Sequence, residues 1–237
     1  MVTATATING NNYNIPMSYK HITLGKFKAI QNFLYSDYNK DKTEKIVNGK
    51  VEDEEEALNF MYDFINYVTD IPTRELKEVR RFTEGEEVGI EDLFYTMAFL
   101  FSVPEIENPL PAERLGNYYF IDKTDLTQAI LKDLKFIEYT EANTVIRTFN
   151  ELQEGRYNNL NLLLGIMYRP KVKKGWFGKY EIEEYDSEKV KERAKEFDSL
   201  DMETVWNCLF FFTQLKKESL KNIAKSLEAE VEKQHQG

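Results

Sequence analysis

The stretch MYRPKVKKGWFGKYEIEEYD, residues 167–186, holds four lysines, one arginine, a Trp-Phe pair and four acids within twenty residues. Its reading decides whether the chain is purely helical or also carries a sheet. Pro170 cannot continue the apolar helix before it, because its ring fixes φ and it has no N–H to donate. Beyond it, KVK and YEIEEY alternate about a turn from Gly175 to Gly178, the pattern of two short strands. A basic first strand and an acidic second strand are expected to pair across the ladder, at roughly 0.2–1 kcal/mol per pair. Trp176 and Phe177 at the turn tip are left over by that pairing: exposed there, they are the first candidates for contact with a partner, and folded back, they are core residues.

Outward from this hairpin the apolar spacing is helical. Asp186 or Ser187 caps the amphipathic helix DSEKVKERAKEFDSL, and DMETVWNCLFFFTQL is apolar nearly all round, so it is expected to be buried. The tail KKESLKNIAKSLEAEVEKQHQG places Leu220, Ile223, Leu227 and Val231 on one stripe that needs covering, either by the chain's own core or, as a second candidate partner-binding surface, by another chain. Upstream, Thr23 is placed to cap a helix carrying Leu24, Phe27, Ile30, Phe33 and Leu34. Asp53 and Glu56 have capping-box spacing before a helix that Pro72 closes. Further helices are expected over GIEDLFYTMAFLFSV, TEANTVIRTFNELQ and RYNNLNLLLGIMY, with a short strand near NYYFID leading into another helix. Residues 1–15 have little to bury and read as an extended or mobile arm. The fold class expected is mainly α, helical bundle-like, with one small β-hairpin near residues 171–185. Residues 16–237 form a single α-helical unit with a looser division near residue 110, into 16–108 and 112–237, where Pro109, Pro111 and Gly116 gather.

With 42% hydrophobic and 30% charged residues the composition is globular, and the net charge of -10 disfavours general attraction to nucleic acid or anionic lipid. No secretory signal is visible in MVTATATING, and the apolar runs MAFLFSV and CLFFF fall far short of the ~20 residues a membrane span needs. The single cysteine, Cys208, excludes an intrachain disulfide and reads as a small buried hydrophobe.

Motifs for chemistry are incomplete. Asp37, Asn39 and Asp41 stand at the first, third and fifth positions of a calcium loop, but Lys42 replaces the turn glycine and Asn48 the bidentate acid, so a solvated loop is expected there. Two histidines, His21 and His235, offer no zinc-ligand pair, and the 11 glycines form no phosphate cradle. Acid clusters at Glu52 to Glu56, Glu84 to Glu87 and Glu181 to Asp186 read as solvated faces or helix-dipole partners. Arg147, Arg156 and Arg169 fall near apolar helices, where they are placed for buried ion pairs or an interface. No catalytic residue, metal ligand or cofactor site is assigned.

Two segments carry a family pattern. The first, PMSYKHITLGKFKAIQNFLYSD with ALNFMYDFINYVTDIPTRELKEV, contains an IT-x-G-x-F helix through Thr23, Gly25 and Phe27. A second helix then closes on Thr-x-hydrophobic-Pro. The second, NLNLLLGIMYRPK with KYEIEEYDSEKVKERAKEFDSLDMETVWNCLFFF, contains Tyr168, Arg169 and Pro170, an IE-x-Y element ending at Tyr185, an R-x-x-x-F pair at Arg193 and Phe197, and Phe211 and Phe212. These segments, about half the chain, resemble parts of certain bacteriophage tail and virion-assembly proteins. The resemblance implies a non-enzymatic assembly or virion structural protein acting through protein–protein contacts in the tail, neck or portal region. It implies other phage proteins or a homo-oligomer as partners, no cofactor, and residence in the host cytoplasm during assembly or in the virion. A cellular helical adaptor or regulator, and a nucleic-acid-binding module using the basic hairpin, are the alternatives left open.

Overall fold

The computed structural model describes residues 4–51, 53–79, 89–121, 136–150, 155–173 and 180–214. The chain divides into two compact units, one of Met1–Glu105 with Leu152–Asn158 and Asp198–Glu203, the other of Ile106–Glu151, Asn159–Phe197 and Thr204–Gly237. The units interleave in sequence, where a single unit with a looser division near residue 110 is expected.

The first unit opens with a hairpin, β1 (Ala4–Ile8) and β2 (Asn11–Ile15), paired antiparallel from Ala4 opposite Ile15 to Ile8 opposite Asn11. Asn9 and Gly10 have φ of 51° and 80°, the left-handed values a two-residue hairpin turn requires and that an Asn-Gly pair supplies cheaply. Ile8 and Ile15 are buried, Tyr13 Oη donates to Glu75 Oε2 at 2.9 Å, and Asn9 Nδ2 donates to Glu78 Oε2 at 2.6 Å. The arm expected over residues 1–15 is therefore, from residue 4 onward, a docked hairpin.

Helices α1 (Leu24–Leu34), α2 (Lys40–Val47), α3 (Glu54–Thr69), α4 (Thr73–Leu76) and α5 (Ile90–Thr96) complete this unit. The Thr23 hydroxyl accepts from Lys26 N, and Asp53 accepts from the amides of Glu55 and Glu56, so both expected N-caps are made. Phe27, Ile30, Leu34, Phe64 and Ile65 are fully buried, each side chain contributing ~1.5–3 kcal/mol. The solvated loop expected around Asp37 to Asp41 runs into α2 instead. Asn39 Nδ2 donates to Phe33 O at 3.0 Å and Thr43 Oγ1 to Leu34 O at 2.9 Å, satisfying carbonyls at the end of α1.

The second unit is built on a four-stranded antiparallel sheet in the order β3 (Arg114–Leu115), β4 (Tyr118–Phe120), β5 (Tyr168–Lys173), β6 (Tyr180–Ile182). Helices α6 (Phe136–Asn150) and α7 (Leu160–Met167) lie in sequence between β4 and β5. Helix α8 (Ser187–Ala194) follows β6, with Asp186 as its cap, and residues 202–214 are helical. Helix-rich structure is as expected, but the β content exceeds one hairpin. The pairing near 171–185 is one edge of a four-stranded sheet, and a second, two-stranded sheet stands at the start of the chain, so the molecule is α plus β rather than a helical bundle.

The strand pairing corrects the expected charge ladder. Lys171 is opposite Ile182, Val172 opposite Glu181 and Lys173 opposite Tyr180, so none of these lysines directly faces a glutamate. Lys171 Nζ instead lies 4.0 Å from the centroid of the Tyr119 ring.

Candidate functional site

The densest chemistry in the second unit gathers where β5, β6, α6 and α8 meet. Arg169 Nη2 lies 3.0 Å from Glu138 Oε2, and the two side chains are 6% and 1% exposed. Arg169 also donates from Nη1 to Glu183 O at 3.0 Å and from Nε to Ile166 O at 3.4 Å. Arg193 Nη1 donates to Glu183 Oε2 at 2.9 Å, and Lys189 Nζ reaches Glu183 Oε1 at 2.6 Å. Tyr185 donates to Glu141 and presents its ring 5.7 Å from the Arg169 guanidinium carbon.

The backbone explains why arginine and proline stand together here. Glu183 N donates to Pro170 O at 2.9 Å, the first half of a ladder pair. Pro170 has no N–H to return, which would leave Glu183 O without its ladder donor. The neighbouring Arg169 guanidinium occupies that acceptor. Tyr168, fully buried, donates to Ala112 O at 2.8 Å and stands 3.2 Å from Cys208 Sγ, while its ring packs near Phe197 and Phe120. Tyr168, Arg169, Pro170, Glu183, Tyr185, Arg193 and Phe197, spread over three sequence motifs, are thus parts of one internal assembly.

Its electrostatics are those of a clamp. Burial lowers the Arg169 pKa and the Glu138 carboxylate opposes that shift. Burial pulls the Glu183 carboxyl upward, but hydrogen bonds from Lys189 and Arg193 outweigh it and hold the group below the ordinary carboxylate range. Burial, then the bond to Glu141, pushes the Tyr185 hydroxyl up. Burial, then Cys208, pushes Tyr168 up further. Glu183 thus stays ionised and Tyr168 protonated near neutral pH, fixed charge and fixed donor rather than groups poised to exchange protons.

The IT-x-G-x-F motif does equivalent work in the first unit. Leu24 N donates to Leu200 O at 2.7 Å and Met202 N to Ile22 O at 2.8 Å, with Thr23 bridged to Asp201. A Cβ on Gly25 would lie 3.2 Å from Asp198 O, so glycine permits the close seam that the Lys28 to Asp198 ion pair (2.6 Å) then holds. Phe27 packs edge-on against Tyr157.

A surface feature of another kind lies beside the hairpin. A cleft of about 620 Å³ is lined by every residue from Ala4 to Asn9, with Met17, Val79 and Leu93 among its apolar walls. Successive strand residues point to opposite faces, so a cleft touched by six in a row runs along the edge of β1. Among the described residues β1 has no strand neighbour but β2.

The residues chosen from sequence as partner contacts, Trp176, Phe177, Leu220, Ile223, Leu227 and Val231, lie outside the described residues, as do Lys174 and Lys179. Of the arginines singled out, Arg169 forms a buried ion pair and Arg156 lies 4.4 Å over the Tyr157 ring. Sequence reasoning missed the β1 edge, although Asn9-Gly10 between ATATI and NNYNI is the strongest short hairpin signal a chain can carry. Among the described residues no group of three or more His, Cys, Asp or Glu is placed to hold a metal ion, and no helix is long and apolar enough to cross a membrane. No protein-family model matches the chain, and neither does a curated protein or a solved structure.

Proposed function

We propose that this protein is a non-enzymatic bacteriophage assembly or virion structural protein that works through protein–protein contacts in the tail, neck or portal region. The observation that carries the reading is the convergence of the resembling motifs. Tyr168, Arg169, Pro170, Tyr185, Arg193 and Phe197 stand in separate segments, yet they meet in one network around Glu183 and Glu138, buried at Tyr168, Arg169, Arg193, Phe197 and Glu138 and half-buried at Pro170, Tyr185 and Glu183. A pattern that dictates how a fold is held is what a resemblance of fold, rather than of catalytic site, consists of.

Two forms of the role differ in outcome. A chaperone covers apolar segments of a tail component and departs, whereas a structural part is retained in stoichiometric copies. Mass spectrometry of purified particles separates them, and a gene standing outside any viral neighbourhood would defeat both. The nucleic-acid alternative loses support from Lys171, which is engaged with Tyr119. Absence of DNA binding at low salt would dispose of it.

A further inference from the structure

We infer that the edge of β1 away from β2, which among the described residues pairs with no strand, is a self-association surface, taking the β1 strand of a second copy of this chain in antiparallel register. The two-residue Asn9-Gly10 turn makes Ile8 and Asn11 the closing hydrogen-bonded pair, and such pairs alternate along the ladder with non-bonded ones. Thr7 opposite Asn12 and Thr5 opposite Asn14 are then the non-bonded pairs, consistent with the Thr7 Oγ1 to Asn12 Oδ1 contact of 2.8 Å. The backbone N–H and C=O groups of Thr5 and Thr7 consequently point away from β2, toward the cleft.

Nothing in the strand blunts that edge. Proteins protect exposed edges with charges, proline or bulges, and ATATI has none of them. From Met1 to Tyr19 there is no charged side chain, in a chain that is 30% charged overall. Two copies with a net charge of -10 each repel at long range, so this uncharged strand is where they approach at least cost, the Glu78 carboxylate on the cleft wall being held by Asn9 Nδ2 at 2.6 Å.

The strand is also complementary to itself. With a two-fold axis through Ala6, Thr5 faces Thr7 of the second copy and Ala4 faces Ile8. The outward groups of Thr5 and Thr7 then exchange four backbone hydrogen bonds, threonines pair with threonines on the exposed face, and the small inner-face Ala4 and Ala6 meet the Met17, Val79 and Leu93 walls of the cleft. A strand of foreign sequence would need none of this symmetry, which is why the second copy is the favoured occupant.

The inference rests on the protein working through protein contacts, but its test is separate from that of the particle. Light scattering coupled to size exclusion, with native mass spectrometry on the full chain, should find a concentration-dependent dimer. Thr5→Pro/Thr7→Pro removes all four outward donors while leaving those facing β2, and should weaken the dimer several hundredfold, at roughly fivefold per bond. Thr5→Lys/Thr7→Lys keeps the backbone and sets like charges opposite one another. It should be monomeric alone and form a mixed dimer with Thr5→Glu/Thr7→Glu. A wild-type chain that stays monomeric at its highest soluble concentration, or dimers that survive both variants, overturns the inference and leaves the edge to a strand from another protein. A monomer found in particles sinks only this inference, and a dimer absent from particles sinks only the virion form of the role.

Discussion

Replacing Glu138 with leucine tests whether the clamp of the second unit holds as its geometry requires. The substitution leaves the Arg169 guanidinium buried without the carboxylate now 3.0 Å away, in surroundings where the two side chains are 6% and 1% exposed. Breaking a buried pair in this way costs about 3–5 kcal/mol. Arg169 retains the carbonyls of Glu183 and Ile166, so the loss should fall near the low end, about 3 kcal/mol. At about 2–4 °C per kcal/mol for a chain of this size, the melting temperature should drop by roughly 6–12 °C. Adding Arg169→Met removes the stranded charge, and the double variant should recover to within about 1–2 kcal/mol of wild type, the remainder being the donor lost by Glu183 O. Urea denaturation followed by circular dichroism, and by the fluorescence of the buried Trp206, measures the cycle. A Glu138→Leu variant within about 1 kcal/mol of wild type, or strictly additive losses, would refute the clamp.

Other outcomes follow from the same geometry. Gly165→Ala should destabilise by about 1–3 kcal/mol despite its better helix propensity, because the new Cβ would lie 2.9 Å from Val190 O; thermal melts showing stabilisation would contradict the close approach of α7 to α8. Glu183 has a folded pKa below its ordinary 4.5, so its stabilisation is complete above that pH and is lost as pH falls through the lower folded value. The wild-type urea midpoint should therefore decline more steeply below pH 4.5 than that of Glu183→Gln, and parallel curves would count against the Lys189 and Arg193 contacts. Tyr168→Phe loses the hydroxyl bonded to Ala112 O and should cost ~0.5–1.5 kcal/mol by denaturant titration, with a null effect arguing against that bond.

What the sequence made legible was local. Thr23, Asp53 and Asp186 cap the helices their spacing announced, because a cap is settled within three residues. The helix before Pro170 stops at Met167, one residue earlier than expected, and Pro170 itself stands inside β5 opposite Tyr118. That Arg169 would repair the missing ladder donor depends on Glu183 lying opposite, a register no local pattern fixes. Proximity in sequence pairs the lysines of β5 with glutamates. The alternation of the pleat instead sends Lys171 to Tyr119 on the neighbouring strand. The N-terminal hairpin is hard to read for another reason: its polar residues offer little to bury, and only the φ values of Asn9 and Gly10 mark the turn. The candidate partner residues stand out in sequence as surplus aromatics and an apolar stripe. The β1 edge escaped because its reactive groups belong to the backbone, which sequence does not display.

The seam between Ile22 to Leu24 and Leu200 to Met202 has a consequence in time as well as in space. The first unit takes its last pieces from residues 152–158 and 198–203, so a ribosome that has finished residue 105 has not yet made all of it. At about 5–20 residues per second, roughly 5–20 s pass before Asp198 can reach Gly25 and Lys28. During that interval the start of α1 offers an uncovered backbone edge beside Phe27, and the nascent chain is most open to chaperones and to premature pairing then, before the late segment closes the seam.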